Sequence, residues 1–193
     1  MLLNEFYGIE ECKLTLIYNG LIDQAIFLDE VERMQRKRDL FFGEGEKLIL
    51  FVGRLDDIKG VDYLIEAFAK VIKKSSNTRL LIVGDGNYSR YLQMSADIWS
   101  RITFIGKISK QKLYEFYQIA DVGVMPSFHE QCSYVAIEMM MHGLPLIITN
   151  TTGLSEMIHH QNVECRLILK EDQNELRLSV EELSKCLLKI VTD

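Results

Sequence analysis

Apolar runs alternate along this chain with segments whose apolar residues recur at helical spacing. The run from residue 47 to 52 (KLILFV) is almost entirely apolar, a pattern typical of strands buried on both faces. From residue 61 onward, apolar residues stand three and four positions apart, which predicts an amphipathic helix. The strands predicted in this way are 14–18, 47–52, 79–83, 101–105, 121–125, 144–149 and 165–169. The helices predicted are 29–40, 61–74, 88–99, 109–119, the segment that ends at Gly143, 154–160 and 179–191.

This alternation predicts an α/β fold: one Rossmann-like parallel sheet, covered by helices on both faces and joined by right-handed crossovers. We expect residues 1–193 to form a single domain. In such sheets ligands bind beyond the carboxyl ends of the strands, where the strand order reverses. The loops that follow Val52, Val83, Ile105 and Met125 are therefore the places to look for a site.

Composition narrows the class of protein. The chain has 193 residues, 48% of them hydrophobic and 26% charged, which is ordinary for a globular protein. The net charge of −6 argues against nucleic acid or an anionic membrane surface as the main partner. The sequence contains no apolar run of membrane-spanning length and no signal-peptide pattern. Its four cysteines are widely spaced, so we expect reduced thiols in a cytoplasmic protein, with no disulfide and no zinc site.

The segment 125–143 carries the most informative chemistry. Glu130 lies in a polar turn after an apolar strand, and Glu138 lies in a helical segment that is apolar on every side. A buried carboxylate needs donors from the fold or from a ligand. Between the two acids, four amides are expected at the start of the helix, where free N–H groups favour an anion. These amides belong to Cys132, Ser133, Tyr134 and Val135. A nucleotide-sugar site needs carboxylates that bind sugar hydroxyls next to amides that bind phosphates, and this segment offers both.

The loop after Val52 adds two cations. Gly53 would allow the backbone to approach a ligand, and Arg54 and Lys59 would hold a diphosphate. In the alternative interpretation, both cations pair with Asp56 and Asp57 on the surface, and the sequence does not decide between the two.

Other candidates carry weaker signals. Residues 84–86 (GDG) lack the third glycine of a dinucleotide fingerprint and favour a tight turn over a phosphate cradle. Ile105 ends a strand where the backbone could meet a nucleobase. The basic residues of the helix 29–40 are expected to form a solvated face. They are Arg33, Arg36, Lys37 and Arg38.

The spacing of the four histidines does not suit metal binding, so we expect them on the surface or in packing positions. They are His129, His142, His159 and His160. Because Glu130 and Glu138 lie on one short segment, they are poorly placed to act as a glycosidase pair.

At these residues the chain resembles the retaining glycosyltransferases of family 4, also called glycosyl transferases group 1, which have the GT-B fold. The resemblance rests on residues 53–55 (GRL) with Lys59 and Gly60, on the spacing from Glu130 to Glu138, and on residues 143–145 (GLP) followed by Gly153 and Glu156. It covers most of the chain and corresponds to the carboxyl-terminal, donor-binding half of those enzymes. The acceptor-binding half would then precede Met1, and this chain alone would bind donor weakly and transfer little.

The resemblance implies a role for each residue. Arg54 and Lys59 would hold the donor diphosphate, Glu130 would contact the transferred sugar, and Glu138 would bind the ribose hydroxyls. The amides of residues 132–135 would meet the phosphates and the sugar, Gly53 would line the donor site, and Ile105 would contact the base through its main chain. The family transfers a hexose from a UDP- or GDP-type donor with retention and without a metal, often in polysaccharide biosynthesis.

Two other hypotheses stay open. The chain could be a non-catalytic Rossmann-like module that binds a nucleotide or a partner protein, or part of a glycogen- or starch-synthase-like polymerase. Any peripheral membrane association would arise through the missing half only.

Overall fold

The structure, a computed structural model, describes residues 2–15, 17, 19–158, 163–173 and 175–192. Its strands are β1 (Lys47–Val52), β2 (Thr78–Val83), β3 (Ile102–Gly106), β4 (Val122–Met125), β5 (Leu146–Thr149), β6 (Val163–Leu167), β7 (Lys170–Asp172) and β8 (Glu175–Arg177). Its α-helices are α1 (Leu2–Tyr7), α2 (Glu30–Asp39), α3 (Val61–Val71), α4 (Tyr88–Met94), α5 (Lys110–Ile119), α6 (Tyr134–Met141), α7 (Thr152–Met157) and α8 (Val180–Thr192). Short 3-10 turns occupy Glu11–Lys13, Asp57–Lys59 and Ala96–Arg101.

Six strands form one sheet in the order β3-β2-β1-β4-β5-β6, with every neighbouring pair parallel. The order reverses between β1 and β4, so the carboxyl ends of these two strands flank the switch point. The predicted Rossmann-like α/β fold is confirmed.

Helices cover both faces of the sheet because successive residues of each strand point to opposite sides. On β1, Ile49 and Phe51 pack in one apolar cluster with α3 and α8, whereas Leu48 and Leu50 pack in a second cluster with α5 and α6. All four side chains are buried, which explains why the strand reads as a continuous apolar run.

The main differences between the predicted elements and the structure lie in three segments. Leu14, Thr15 and Ile17 form no strand, and residues 16 and 18 lie outside the described part. The helix predicted over 88–99 ends at Met94 and gives way to the 3-10 turn Ala96–Arg101. An antiparallel hairpin of β7 and β8, which the sequence analysis did not predict, follows β6.

The basic face of α2 is not fully solvated, contrary to prediction. Arg33 and Lys37 both reach Asp121, at 2.9 Å and 3.2 Å, and their side chains are only 25% and 11% exposed. The second Asp121 oxygen also accepts a hydrogen bond of 2.7 Å from the amide of Leu48. This carboxylate, just before β4, attracts the two cations that face the sheet.

The prediction that all four cysteines are reduced thiols is wrong for one pair. Cys165 on β6 and Cys186 on α8 form a disulfide with their Cα atoms 6.1 Å apart. The two residues meet because α8 packs across β6. Cys12 and Cys132 are free thiols.

Across the residues described above, none of the helices combines the length and the apolarity needed to cross a bilayer.

Candidate functional site at the switch point

Lys59 and Glu130 form an ion pair beyond the carboxyl ends of β1 and β4. Lys59 closes the turn Asp57–Lys59, which the Asp56 side chain caps by accepting a hydrogen bond from the Lys59 amide at 3.1 Å. Its Nζ contacts Oε1 of Glu130. The side chains are 19% and 10% exposed, so water screens this pair less than a surface pair.

The loop that carries Glu130, residues 126–133, is held in place by the neighbouring segments. The Ser127 hydroxyl donates to Oε1 of Glu130 at 3.1 Å, and the Gly153 amide donates to the Glu130 carbonyl at 3.1 Å. Thr149 at the end of β5 donates to the Ser127 carbonyl at 2.5 Å. The amide of Phe128 donates to the carbonyl of Ile58 at 2.8 Å, which ties the loop to the Lys59 turn.

Two glycines allow the backbone of this loop to approach its neighbours closely. A Cβ at Gly60 would lie 2.2 Å from the Pro126 carbonyl oxygen, and Gly60 also has a φ of +65° that favours glycine. A Cβ at Gly153 would lie 2.2 Å from the Gln131 oxygen and 2.3 Å from the Glu130 oxygen. Larger side chains at either position would displace the loop.

Arg54 lies near this pair but points into solvent. Its side chain is 73% exposed and contacts Asp56 at 3.1 Å, which is the surface pair that the alternative interpretation describes. For Lys59 that alternative is wrong, because the partner of Lys59 is Glu130. Arg54, Lys59, Glu130 and Cys132 all line one cavity of about 380 Å³, hereafter the cation cavity. The structure therefore brings both predicted cations and one predicted acid together.

The predicted amide cluster lies at the start of α6. Ser133 is the N-cap, and its hydroxyl accepts a hydrogen bond from the Ala136 amide at 3.3 Å. Within the described part of the chain, the amides of Cys132, Ser133, Tyr134 and Val135 donate no hydrogen bond to another residue. These donors remain available to a ligand, as expected for a helix start.

Glu138 is buried on α6, and the fold supplies its donors. Tyr117 donates to Oε2 at 3.0 Å, and Lys110 lies 3.1 Å from Oε1. Burial, with the negative charge of Glu138, raises the pKa of Tyr117 well above its ordinary value, so the phenol stays protonated and donates. Hydrogen bonds to Tyr114 and Glu138 raise the pKa of Lys110.

A second cavity of about 400 Å³ lies on the β2 side of the switch point. It is hereafter the glycine cavity, with Gly53, Arg54, Gly84 and Lys107 among its lining. Arg54 lines both this cavity and the cation cavity. Ile105, at the end of β3, is half-buried against the apolar cluster, and Lys107 and Ile108 after it line the cavity instead.

The turn at residues 84–86 is tight, as the sequence favours. A Cβ at Gly84 would lie 1.8 Å from the Gly53 oxygen. The Gly84 amide donates to Gly106 at 3.0 Å, and the Gly86 amide donates to the Asp85 side chain at 2.8 Å. These two amides are therefore occupied and do not form a phosphate cradle.

The histidines take the expected surface and packing positions where they can be described. His129 is exposed, whereas His142 is buried and donates from Nδ1 to the Glu138 carbonyl at 2.7 Å. His159 and His160 lie outside the described residues. Among the residues that the structure describes, no three His, Cys, Asp or Glu side chains are grouped as metal ligands.

Sequence reasoning missed four contributors: Ser127, Gly153, Lys110 and Tyr117. Gly153 is one of the residues on which the resemblance rests, but nothing in the spacing of Ser127 or Gly153 connects either residue to Glu130. Lys110 and Tyr117 share α5, and their approach to Glu138 depends on how α5 packs against α6.

The sheet and its switch-point cavities define a Rossmann-like α/β domain. A family model for glycosyl transferases group 1 matches residues 46–186, and the chain therefore belongs to that family. It is 34% identical over 160 residues to an uncharacterized glycosyltransferase of Methanocaldococcus jannaschii, covering 80% of this chain and 41% of that relative.

Solved structures share the fold. WaaG, a glycosyltransferase involved in lipopolysaccharide biosynthesis, matches with a TM-score of 0.82 and 24% identity, over 98% of this chain and 50% of that chain. Anabaena HepE in complex with UDP and glucose matches with a TM-score of 0.76 and 19% identity, over 93% of this chain and 47% of that one. The chain thus spans half or less of the length of each of these proteins.

Proposed function

We propose that this chain is the donor-binding domain of a retaining glycosyltransferase of family 4, which transfers a hexose from a nucleotide-diphosphate sugar. The observation that carries the proposal is the single cavity lined by Arg54, Lys59 and Glu130 at the switch point. The complex of HepE with UDP and glucose supports a donor of this chemical class.

In this proposal the diphosphate occupies the cation cavity. Lys59 and Arg54 stabilise the negative charge that develops on the leaving nucleotide, and the free amides at the start of α6 bind the same oxygens. Fixed cations and amides can supply this stabilisation without a metal, so we expect the reaction to need none. The exposed Arg54 has to turn from Asp56 toward the ligand, which its solvent position permits.

Glu130 contacts the transferred sugar in the same proposal. Its carboxylate accepts from Lys59 and Ser127 through one oxygen, Oε1, in the structure. The other oxygen is available for a sugar hydroxyl. The same lysine thus orients the acid and binds the phosphate.

The nucleoside extends toward the glycine cavity, past Gly53, with the base near the main chain of Ile105. Glu138 binds the ribose hydroxyls only if Lys110 releases Oε1, because Tyr117 keeps the other oxygen. Lys110 is half exposed, so this exchange does not require the core to move.

The complete enzyme requires an acceptor-binding domain, which we place in the amino-terminal half of a longer protein. Closure of the two domains would exclude water from the donor sugar. We propose that the enzyme works in the cytoplasm and associates with a membrane, if at all, through that other half. This chain alone would then bind donor weakly and transfer little.

Titration of the 193-residue chain with UDP, GDP and ADP tests the donor site. We expect one diphosphate to bind with millimolar affinity or better, and Lys59→Gln to weaken it. Ser155→Ala, an exposed change on α7, is the matched control. Failure of all three diphosphates to bind would contradict the donor role and would favour a non-catalytic module.

A further inference from the structure

A third cavity, of about 790 Å³, lies between the Glu130 loop and the β7–β8 hairpin. It is hereafter the hairpin cavity. Residues 129–131 line both this cavity and the cation cavity, so they form a wall shared by the two. Its volume falls within the roughly 300–1,000 Å³ that small-molecule sites occupy. Nothing in the proposed donor site uses this space.

The hairpin cavity has an unpartnered polar group in its lining. Thr151 is 8% exposed, and its buried hydroxyl has no hydrogen-bond partner among the described residues. Burying a hydroxyl without a partner is unfavourable, so such a group indicates a missing ligand or solvent molecule. Beside it, the Asn150 side-chain oxygen accepts from the Leu169 amide at 2.8 Å, which leaves the NH₂ group as a donor.

Apolar side chains complete the lining. Phe128, Leu169 and Leu176 line the cavity together with these polar groups. The Phe128 ring is fixed by an edge contact with Tyr63, with the ring centroids 5.2 Å apart. A ligand that fits this cavity therefore needs one face of C–H groups to pack against the apolar side chains and hydroxyls around its edge to bond to the polar groups.

Charge excludes an anionic ligand. The described lining of this cavity contains no lysine or arginine, and it includes Glu130 and Glu156. A phosphate or a second nucleotide would find no cationic side chain in this described lining to offset its charge. This distinguishes the hairpin cavity from the cation cavity on the other side of the shared wall.

We propose that the hairpin cavity binds a neutral saccharide ring. A pyranose carries hydroxyls for Thr151, Asn150 and Gln131 and a C–H face for Phe128. The proposal goes beyond the donor site, because it requires neither a nucleotide nor transfer. The saccharide is either a part of the acceptor that reaches this cavity from the acceptor-binding domain or a carbohydrate that the protein holds without modifying it.

Amide chemical shifts of the isotopically labelled 193-residue chain provide the test. The probes are methyl α-D-glucopyranoside, methyl α-D-mannopyranoside and maltotriose, each titrated with and without UDP. We expect at least one probe to shift the amides of residues 150–153 and 176. Thr151→Val, which keeps the size but removes the hydroxyl, should weaken that probe about three- to tenfold, since it removes one hydrogen bond.

A second variant covers the possibility that Thr151→Val perturbs the fold. Leu176→Trp lies on the exposed hairpin, so it should narrow the cavity without affecting the core, and it should abolish saccharide binding. Ser155→Ala, also on the surface, should bind as the parent does. Affinity for UDP, measured separately, should be unchanged in all three variants, which keeps this test independent of the donor site.

The titrations with UDP identify the source of the saccharide. Affinity that rises when UDP is bound assigns the cavity to the acceptor, because the two ligands share the wall 129–131. Affinity that UDP leaves unchanged assigns it to a carbohydrate held apart from the reaction. The proposal is overturned if no probe binds up to its solubility limit, if UDP displaces the probe, or if both cavity variants bind as the parent does.

Discussion

Replacement of Gly153 by alanine should have two opposite effects: it should favour helix α7, and it should displace the loop that carries Glu130. Gly153 lies in the first turn of α7, so alanine by itself should stabilise the helix by up to about 1 kcal/mol. The added Cβ, however, would lie 2.2 Å from the Gln131 oxygen and 2.3 Å from the Glu130 oxygen. Such contacts do not occur below 3.0 Å, so the loop must move by at least 3.0 − 2.2 = 0.8 Å.

The cost of this movement exceeds the gain in helix propensity. Overpacking typically costs about 1–3 kcal/mol, and the hydrogen bond from the Gly153 amide to the Glu130 carbonyl contributes about 0.5–1.5 kcal/mol. The loop can move outward, since Gln131 is exposed. We therefore expect a net loss of about 1–3 kcal/mol in the free energy of unfolding. A displacement near 1 Å at a reacting group can cost about 100-fold in rate, so function should fall much further than stability.

Three measurements on the same variant test this prediction. Urea unfolding followed by circular dichroism gives the change in stability, and calorimetric titration gives the affinity for the diphosphate that the parent binds best. Sugar transfer by the intact enzyme gives the effect on the rate. Ser155→Ala on the same helix controls for the change in helix propensity alone.

The reasoning would be refuted by an alanine variant that is as stable as the parent, or more so, and that binds and transfers normally. That result would mean that α7 does not hold the Glu130 loop in place. A variant that unfolds much more easily yet keeps its donor affinity per folded molecule would refute the link between Gly153 and the site.

The remaining predictions concern the ion pair, the core and the disulfide. Lys59→Ala and Glu130→Ala should each lower transfer by the intact enzyme at least about 100-fold without changing its circular dichroism spectrum, and near-normal turnover would overturn the assignment. Burial raises the pKa of Tyr91 to about 12. Above about pH 10 the unfolded chain therefore releases a proton that the folded chain keeps, and the free energy of unfolding should fall as the pH rises. Tyr91→Phe should reduce that loss, measured by urea unfolding at neutral and alkaline pH, and an equal loss in both proteins would contradict this. Reduction of the Cys165–Cys186 disulfide, whose cysteines are 21 residues apart, should lower the free energy of unfolding by about 3 kcal/mol. A thiol assay that finds four free thiols in the untreated chain would show that the disulfide does not form.

The central sheet could be predicted from the sequence because its strands are buried on both faces. β1 has the predicted bounds, since all its central residues are apolar and Gly53 follows. The β7–β8 hairpin could not be predicted in this way. Its strands are exposed and polar, and the left-handed position in its turn is held by Gln173, with a φ of +51°, instead of glycine.

The candidate site was predictable to the extent that it depends on strand ends. Lys59 and Glu130 are 71 residues apart, yet each follows a central parallel strand, and such ends meet at the switch point. The partners of Glu138 depend instead on the rotation of α5 about its axis, which the sequence does not determine. The same limit applies to the disulfide, which depends on how far α8 reaches along β6.

The contacts of Asp121 have a mechanical consequence. This residue is anchored by Arg33 and Lys37 of α2 and by the amide of Leu48 in β1, just before β4 begins. A force applied through the chain that precedes α2 is therefore transmitted to β1 and β4 at their amino ends. These ends lie opposite the carboxyl ends, beyond which Lys59 and Glu130 are found. Before α2 can swing independently, both of its cations have to leave a half-buried carboxylate. Any movement of α2 is therefore coupled to the central strands of the sheet.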